Sequence, residues 1–66
     1  MSEIWKPQSI EVYRGWTDAI LSEASEQLTD WEAKFVSDMD DRLSMLASLT
    51  QAQAEKLETI YAKYTK

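Results

Sequence analysis

The chain has 66 residues, seven Lys or Arg against twelve Asp or Glu, a net charge of −5, a single Gly, and neither Cys nor His. That length allows one small domain, burying only roughly 60% of its unfolded surface, with no disulfide or thiolate–metal site to brace it. The composition also excludes an imidazole base, a thiol nucleophile, a Cys/His zinc site and a glycine-rich phosphate loop.

Three Trp, three Tyr and one Phe point to dense aromatic packing as the source of stability, and oligomerisation offers a second. No apolar run approaches the ~20 residues that span a bilayer. Met1-Ser2-Glu3-Ile4-Trp5 has no basic segment ahead of an apolar one. The expected setting is therefore cytoplasmic, with no membrane partner. Charge is unevenly placed: residues 1–28 and 29–48 each have five acids against two bases, whereas residues 49–66 have two against three. Such a field repels phosphate backbones and favours basic surfaces, so direct nucleic-acid binding is disfavoured.

Residues 1–7 read as an N-terminal arm, and residues 8–66 as one three-helix domain. Pro7 has no backbone donor and biases Lys6 away from helix, so a helix is expected to begin at or just after it. Ile10, Tyr13, Thr17, Ile20, Ala24 and Leu28 then recur at three- or four-residue steps, one face of a helix that Leu21 widens. Gly15 interrupts this segment at a cost of about 1 kcal/mol relative to Ala; it is either tolerated or lets another backbone approach. In the arm, Ile4 and Trp5 either fold back over the bundle's open side, the favoured reading, or dock into a partner.

Leu28-Thr29-Asp30-Trp31-Glu32 and Leu49-Thr50-Gln51-Ala52-Gln53 share one local chemistry. Thr followed three residues later by Glu or Gln is a capping box, and the preceding Leu supplies half of a hydrophobic staple. A second helix is therefore expected from Thr29, with Asp30 and Glu32 at its positive end. Its predicted buried stripe is Trp31, Phe35, Met39, Arg42/Leu43 and Leu46. Asp30–Lys34 and Asp38–Arg42 have the spacing of i,i+4 ion pairs. A short connection near Ala47–Leu49 predicts an antiparallel third helix capped by Thr50, with Ala54, Leu57, Ile60/Tyr61 and Tyr64 inward. Lys63 and Lys66 fall at its C-terminal end, where cations are favoured. The expected fold class is all-α: a small three-helix bundle with short loops and an N-terminal arm, paired as a dimer.

Acid–base chemistry would rest on carboxylates alone, in a bundle with little dry concave space to tune them, so no enzyme activity and no cofactor is expected. Asp38, Asp40 and Asp41 form the one dense acidic cluster. As a calcium loop it lacks the turn glycine, and Leu49 stands where a distal Glu belongs. It reads as a solvated helix face, or as a strip whose Asp38 and Asp41 meet a partner's arginines. Val12, Trp16 and Ala19 lie on a flank of the first helix displaced from the core stripe. They serve either a wide core or an interface, for which a second copy of the chain is the first candidate.

The stretch Leu28-Thr-Asp-Trp-Glu-x-x-Phe35-Val, followed by Leu49-Thr-x-x-Gln53-x-x-x-Leu57-x-x-Ile60-Tyr61-x-Lys63, resembles a pattern of small bacteriophage and prophage proteins. That group includes short stand-alone chains and tails on larger DNA-processing proteins. The resemblance implies an accessory role near replication, recombination or evasion of host defence, in the host cytoplasm, without a defined activity. Many relatives carry a basic Gly/Arg-containing turn where this chain has Ser44-Met-Leu-Ala-Ser48.

The leading expectation is a non-enzymatic acidic module that binds or inhibits a nucleic-acid-processing enzyme. Val12 and Trp16 would supply the apolar contact, and Glu26, Asp38 and Asp41 the acidic one. The alternatives are a helix-turn-helix-like DNA-binding protein, reading bases through Gln51, Gln53, Lys56 and Lys63, or a structural subunit of a larger assembly.

Overall fold

The computed structural model describes residues 4–65. Three helices follow one another: α1 Ile10–Glu23, α2 Asp30–Ser44 and α3 Gln51–Tyr64, with no strand among the described residues. The chain is an all-α three-helix bundle. No helix among the described residues is long and apolar enough to cross a membrane. The expectation for Lys66 lies outside the described residues.

Each helix starts at a side-chain cap. Ser9, two residues beyond the proline, is the cap of α1, its Oγ accepting from the Val12 N–H at 3.2 Å. Both predicted capping boxes form. Thr29 Oγ1 accepts from Glu32 N at 3.1 Å while Glu32 Oε1 accepts from Thr29 N at 3.0 Å. Thr50 and Gln53 repeat the exchange at 3.2 and 3.0 Å. Extended cap dihedrals (ψ 165° and 168°) turn the chain sharply into each helix.

The first helix is shorter than its apolar stripe. It ends at Glu23, and Leu28, expected on its face, sits in the turn beyond, half-buried against the core. Glu23 and Glu26 stand at the negative end of the helix dipole with no base in the last turn to offset them.

Tyr13, Ile20, Val36, Met39, Leu43, Leu49, Ala54, Leu57 and Ile60 form the core. Helix α1 is central and packs against both others, which approach each other least. The start of α2 still meets the end of α3, as antiparallel neighbours do: Tyr64 Oη donates to Glu32 Oε1 at 2.7 Å. Buried Thr17 ties α1 to α2, its hydroxyl lying 3.0 Å from the Arg14 carbonyl and 3.3 Å from the Asp40 carboxylate. From the arm, Trp5 packs against the core, and the Gln8 N–H donates to Tyr13 Oη at 2.8 Å. Ile4 is exposed and does not fold back with it.

The buried stripe of α2 differs from the predicted one. Val36, Met39 and Leu43 point inward, Phe35 is half-buried, and Trp31 and Leu46 are exposed. The inward row opens with Glu32, a charged residue whose carboxylate Tyr64 and Lys63 satisfy, and that charge hides the row from a hydrophobicity reading. Leu46 is not helical at all. It follows the Met45 C-cap with φ 63°, and its N–H bonds to Leu43 O at 3.0 Å while Ala47 N bonds to Arg42 O at 2.9 Å. This is a Schellman ending with leucine in the left-handed position that glycine usually fills.

Candidate protein-binding surfaces

The two sequence-derived anchors and three acids do not converge. Trp16, weighed as an interface residue, is half-buried: its ring stacks on Tyr61 at 5.5 Å and meets Tyr13 edge-on at 5.3 Å. It lines a small hollow of about 60 Å³ with Trp5, Tyr13 and Ala54. Asp38 lines a different, open hollow of about 280 Å³ on α2, with Trp31, Lys34 and Phe35. Asp41 is exposed on the same helix, Glu26 is exposed in the α1–α2 turn, and Val12 is 39% exposed on α1.

The outward tryptophan is Trp31, which is 58% exposed. Its ring stacks on Phe35 at 5.3 Å and 8°, and the Lys56 ammonium sits 5.4 Å from its centroid. Sequence periodicity placed Trp31 inward because it lies four residues before Phe35, which does reach the core. The rotation of α2 toward Val36 carries the first member of that pair out to solvent.

The three clustered aspartates also part company. Asp40 turns toward Thr17, whereas Asp38 and Asp41 are exposed. Among the described residues, no group of three or more acidic side chains is arranged to hold a metal ion. Neither predicted helix pair closes: the one ion pair within 4 Å among the described residues joins Lys63 to Glu32 at 3.4 Å. Asp30–Lys34 stays open because an exposed pair gains too little to fix its side chains, and Asp38–Arg42 because half-buried Arg42 buries its Nε, which has no hydrogen-bond partner among the described residues.

Glu32 is the best-satisfied carboxylate. The Thr29 N–H and the Tyr64 hydroxyl, then Lys63, hold its pKa down at about 2 against partial desolvation. Lys63 is correspondingly raised by Tyr64 and Glu32. This knot joins the start of α2 to the end of α3 and is structural.

The outer side of α1 is different in kind. Glu11, Gly15, Asp18 and Ser22 recur at helical spacing on its exposed side, with Val12 and half-buried Ala19 alongside. A Cβ built on Gly15 meets nothing within 4 Å among the described residues, whose packing does not need glycine there. The result is a shallow furrow of small side chains, edged by carboxylates with no ion-pair partner within 4 Å among the described residues.

The side chains that a base-reading third helix would use are engaged within the chain. Gln53 closes the capping box, Gln51 donates to Glu55 at 3.0 Å, Lys56 covers Trp31 and Lys63 pairs with Glu32. Comparison with protein-family models, curated proteins and solved structures finds no match to this chain.

Proposed function

We propose that this chain is a non-enzymatic protein-binding module that docks the outer face of α1 onto a basic surface of another protein. The observation that carries the reading is Gly15. A mid-helix glycine costs about 1 kcal/mol, and nothing among the described residues requires the missing Cβ. An approaching backbone would use that space, with Val12 as the apolar contact.

Glu11, Asp18 and Glu26 supply the charge. Exposed and without ion-pair partners among the described residues, they favour arginines and lysines of the partner, steering encounter and selecting against acidic surfaces. The resemblance to small phage and prophage proteins, together with the acidic field, favours a host or phage nucleic-acid-processing enzyme. Its DNA-binding groove is basic by necessity, and an acidic bundle seated there would act as an inhibitor. Direct binding of nucleic acid is the weaker reading, because the side chains it would use are already bonded within the chain.

The test is site-directed photo-crosslinking. A photoreactive residue replacing Val12 should crosslink to a nucleic-acid-processing enzyme in a host lysate, and the product should vanish with Glu11→Lys and Asp18→Lys. The same residue at Thr59, exposed on α3, should give none. Equal products from both positions would overturn the assignment of the α1 face.

A further inference from the structure

The face of α2 that carries Trp31 has a second property, independent of α1. On a molecule of net charge −5, its outward stripe carries both signs: exposed Lys34 stands between Asp30 and Asp38, with Asp41 beyond and half-buried Arg42 at its edge. The charges also have an order. Trp31, Lys34, Asp38 and Asp41 follow one another at three- and four-residue steps, so the stripe reads apolar, positive, negative, negative. These charges leave one another alone, as neither Lys34 nor Asp38 has an ion-pair partner within 4 Å among the described residues. Both line the open hollow that Trp31 and Phe35 build.

We infer that this stripe is the contact between two copies of the chain, paired antiparallel through α2 about a twofold axis. An axis crossing α2 midway between Lys34 and Asp38 sets each Lys34 against Asp38 of the other copy, twice over. The same rotation lays Trp31 on the Asp41–Arg42 end of the second helix. The indole already holds a cation, Lys56, at 5.4 Å, and the guanidinium of Arg42 is a second cation suited to it.

A second copy is favoured over a foreign chain by charge. Two bodies of charge −5 repel unless opposite charges meet across the contact, and Lys34 set against Asp38 twice over provides that match. Its lysine–aspartate order is complementary to its own reverse, as an isologous contact requires. The pairing would cover the largest exposed aromatic ring in a chain with a small core. It leaves the α1 furrow open, so the dimer would present two acidic docking faces.

Sedimentation equilibrium tests this. At millimolar concentration the wild-type chain should show twice its 7.6 kDa mass. Lys34→Asp sets like charges together, as does Asp38→Lys, and each variant alone should associate roughly tenfold more weakly or not at all. Both positions are exposed, so circular dichroism should stay helical. Mixing the two variants should restore a dimer, because one then carries two acids and the other two lysines at the matched positions. A wild-type chain that stays monomeric would overturn the inference, as would single variants that associate like wild type or a mixture that does not. None of these outcomes bears on the α1 face.

Discussion

Removing the hydroxyl of either helix-capping threonine should cost the fold a measurable and predictable amount. In Thr29→Ala the Glu32 N–H loses its acceptor at 3.1 Å, and in Thr50→Ala the Gln53 N–H loses its own at 3.2 Å. Loss of such a cap costs ~1 kcal/mol. Unfolding entropy of ~2.1 cal/mol/K per residue gives ~140 cal/mol/K for this chain, so each substitution should lower the Tm by ~7 °C. The two caps share no hydrogen-bond partner, and the double variant should lose ~14 °C. Thermal melts followed by far-ultraviolet circular dichroism measure this, with Thr→Ser as the control that keeps the acceptor. Should either alanine variant melt within ~2 °C of wild type, or serine lose as much as alanine, the capping argument would be refuted.

Three further expectations follow from single positions. Gly15→Ala should raise the Tm, since the added methyl meets open space and stabilises the helix by ~0.5–1 kcal/mol; a lower Tm would contradict the open surface of α1. Leu46→Gly should also stabilise, because relief of ~1–2 kcal/mol of left-handed strain outweighs the added chain entropy of ~0.5–1 kcal/mol; a loss in urea midpoint would show that the exposed leucine is held by packing. For Glu32 the folded pKa lies at about 2, below its ordinary 4.5. Its contribution is therefore complete above that ordinary value and lost as pH falls toward the lower one. Acid titration of wild type against Glu32→Gln should show the variant flatter over that window, and parallel curves would contradict the Tyr64–Glu32 link.

The fold was readable in the sequence wherever one local chemistry decided it. Thr29 with Glu32 and Thr50 with Gln53 specify their own helix starts, and Ala54, Leu57 and Ile60 lie inward as their spacing requires. Reading failed where two signals competed. The apolar steps from Ile10 to Leu28 suggested one long helix, but acidic residues at the dipole's negative end stop α1 at Glu23. On α2 the aromatic pair outweighed the Val36–Met39–Leu43 row, whose first member is a glutamate made tolerable by residues of α3. Periodicity sees one helix at a time, and which flank faces inward depends on the neighbour.

The candidate surfaces followed the same rule. Val12 and Glu26 were legible as exposed on the α1 side, and Asp38 and Asp41 as exposed on α2. Trp31, read as core, is exposed, whereas Trp16, readable as either wide core or interface, is half-buried because it finds Tyr61, a residue 45 positions away, to stack upon. Gly15 gained its meaning only from the empty space around it.

Gly15→Gln gives the most direct test of the docking account, because it separates folding from binding. The side chain should strengthen α1 and fill the furrow. The Tm should rise while affinity for the protein crosslinked through position 12 falls. A variant that melts higher yet binds that protein as wild type does would contradict the account.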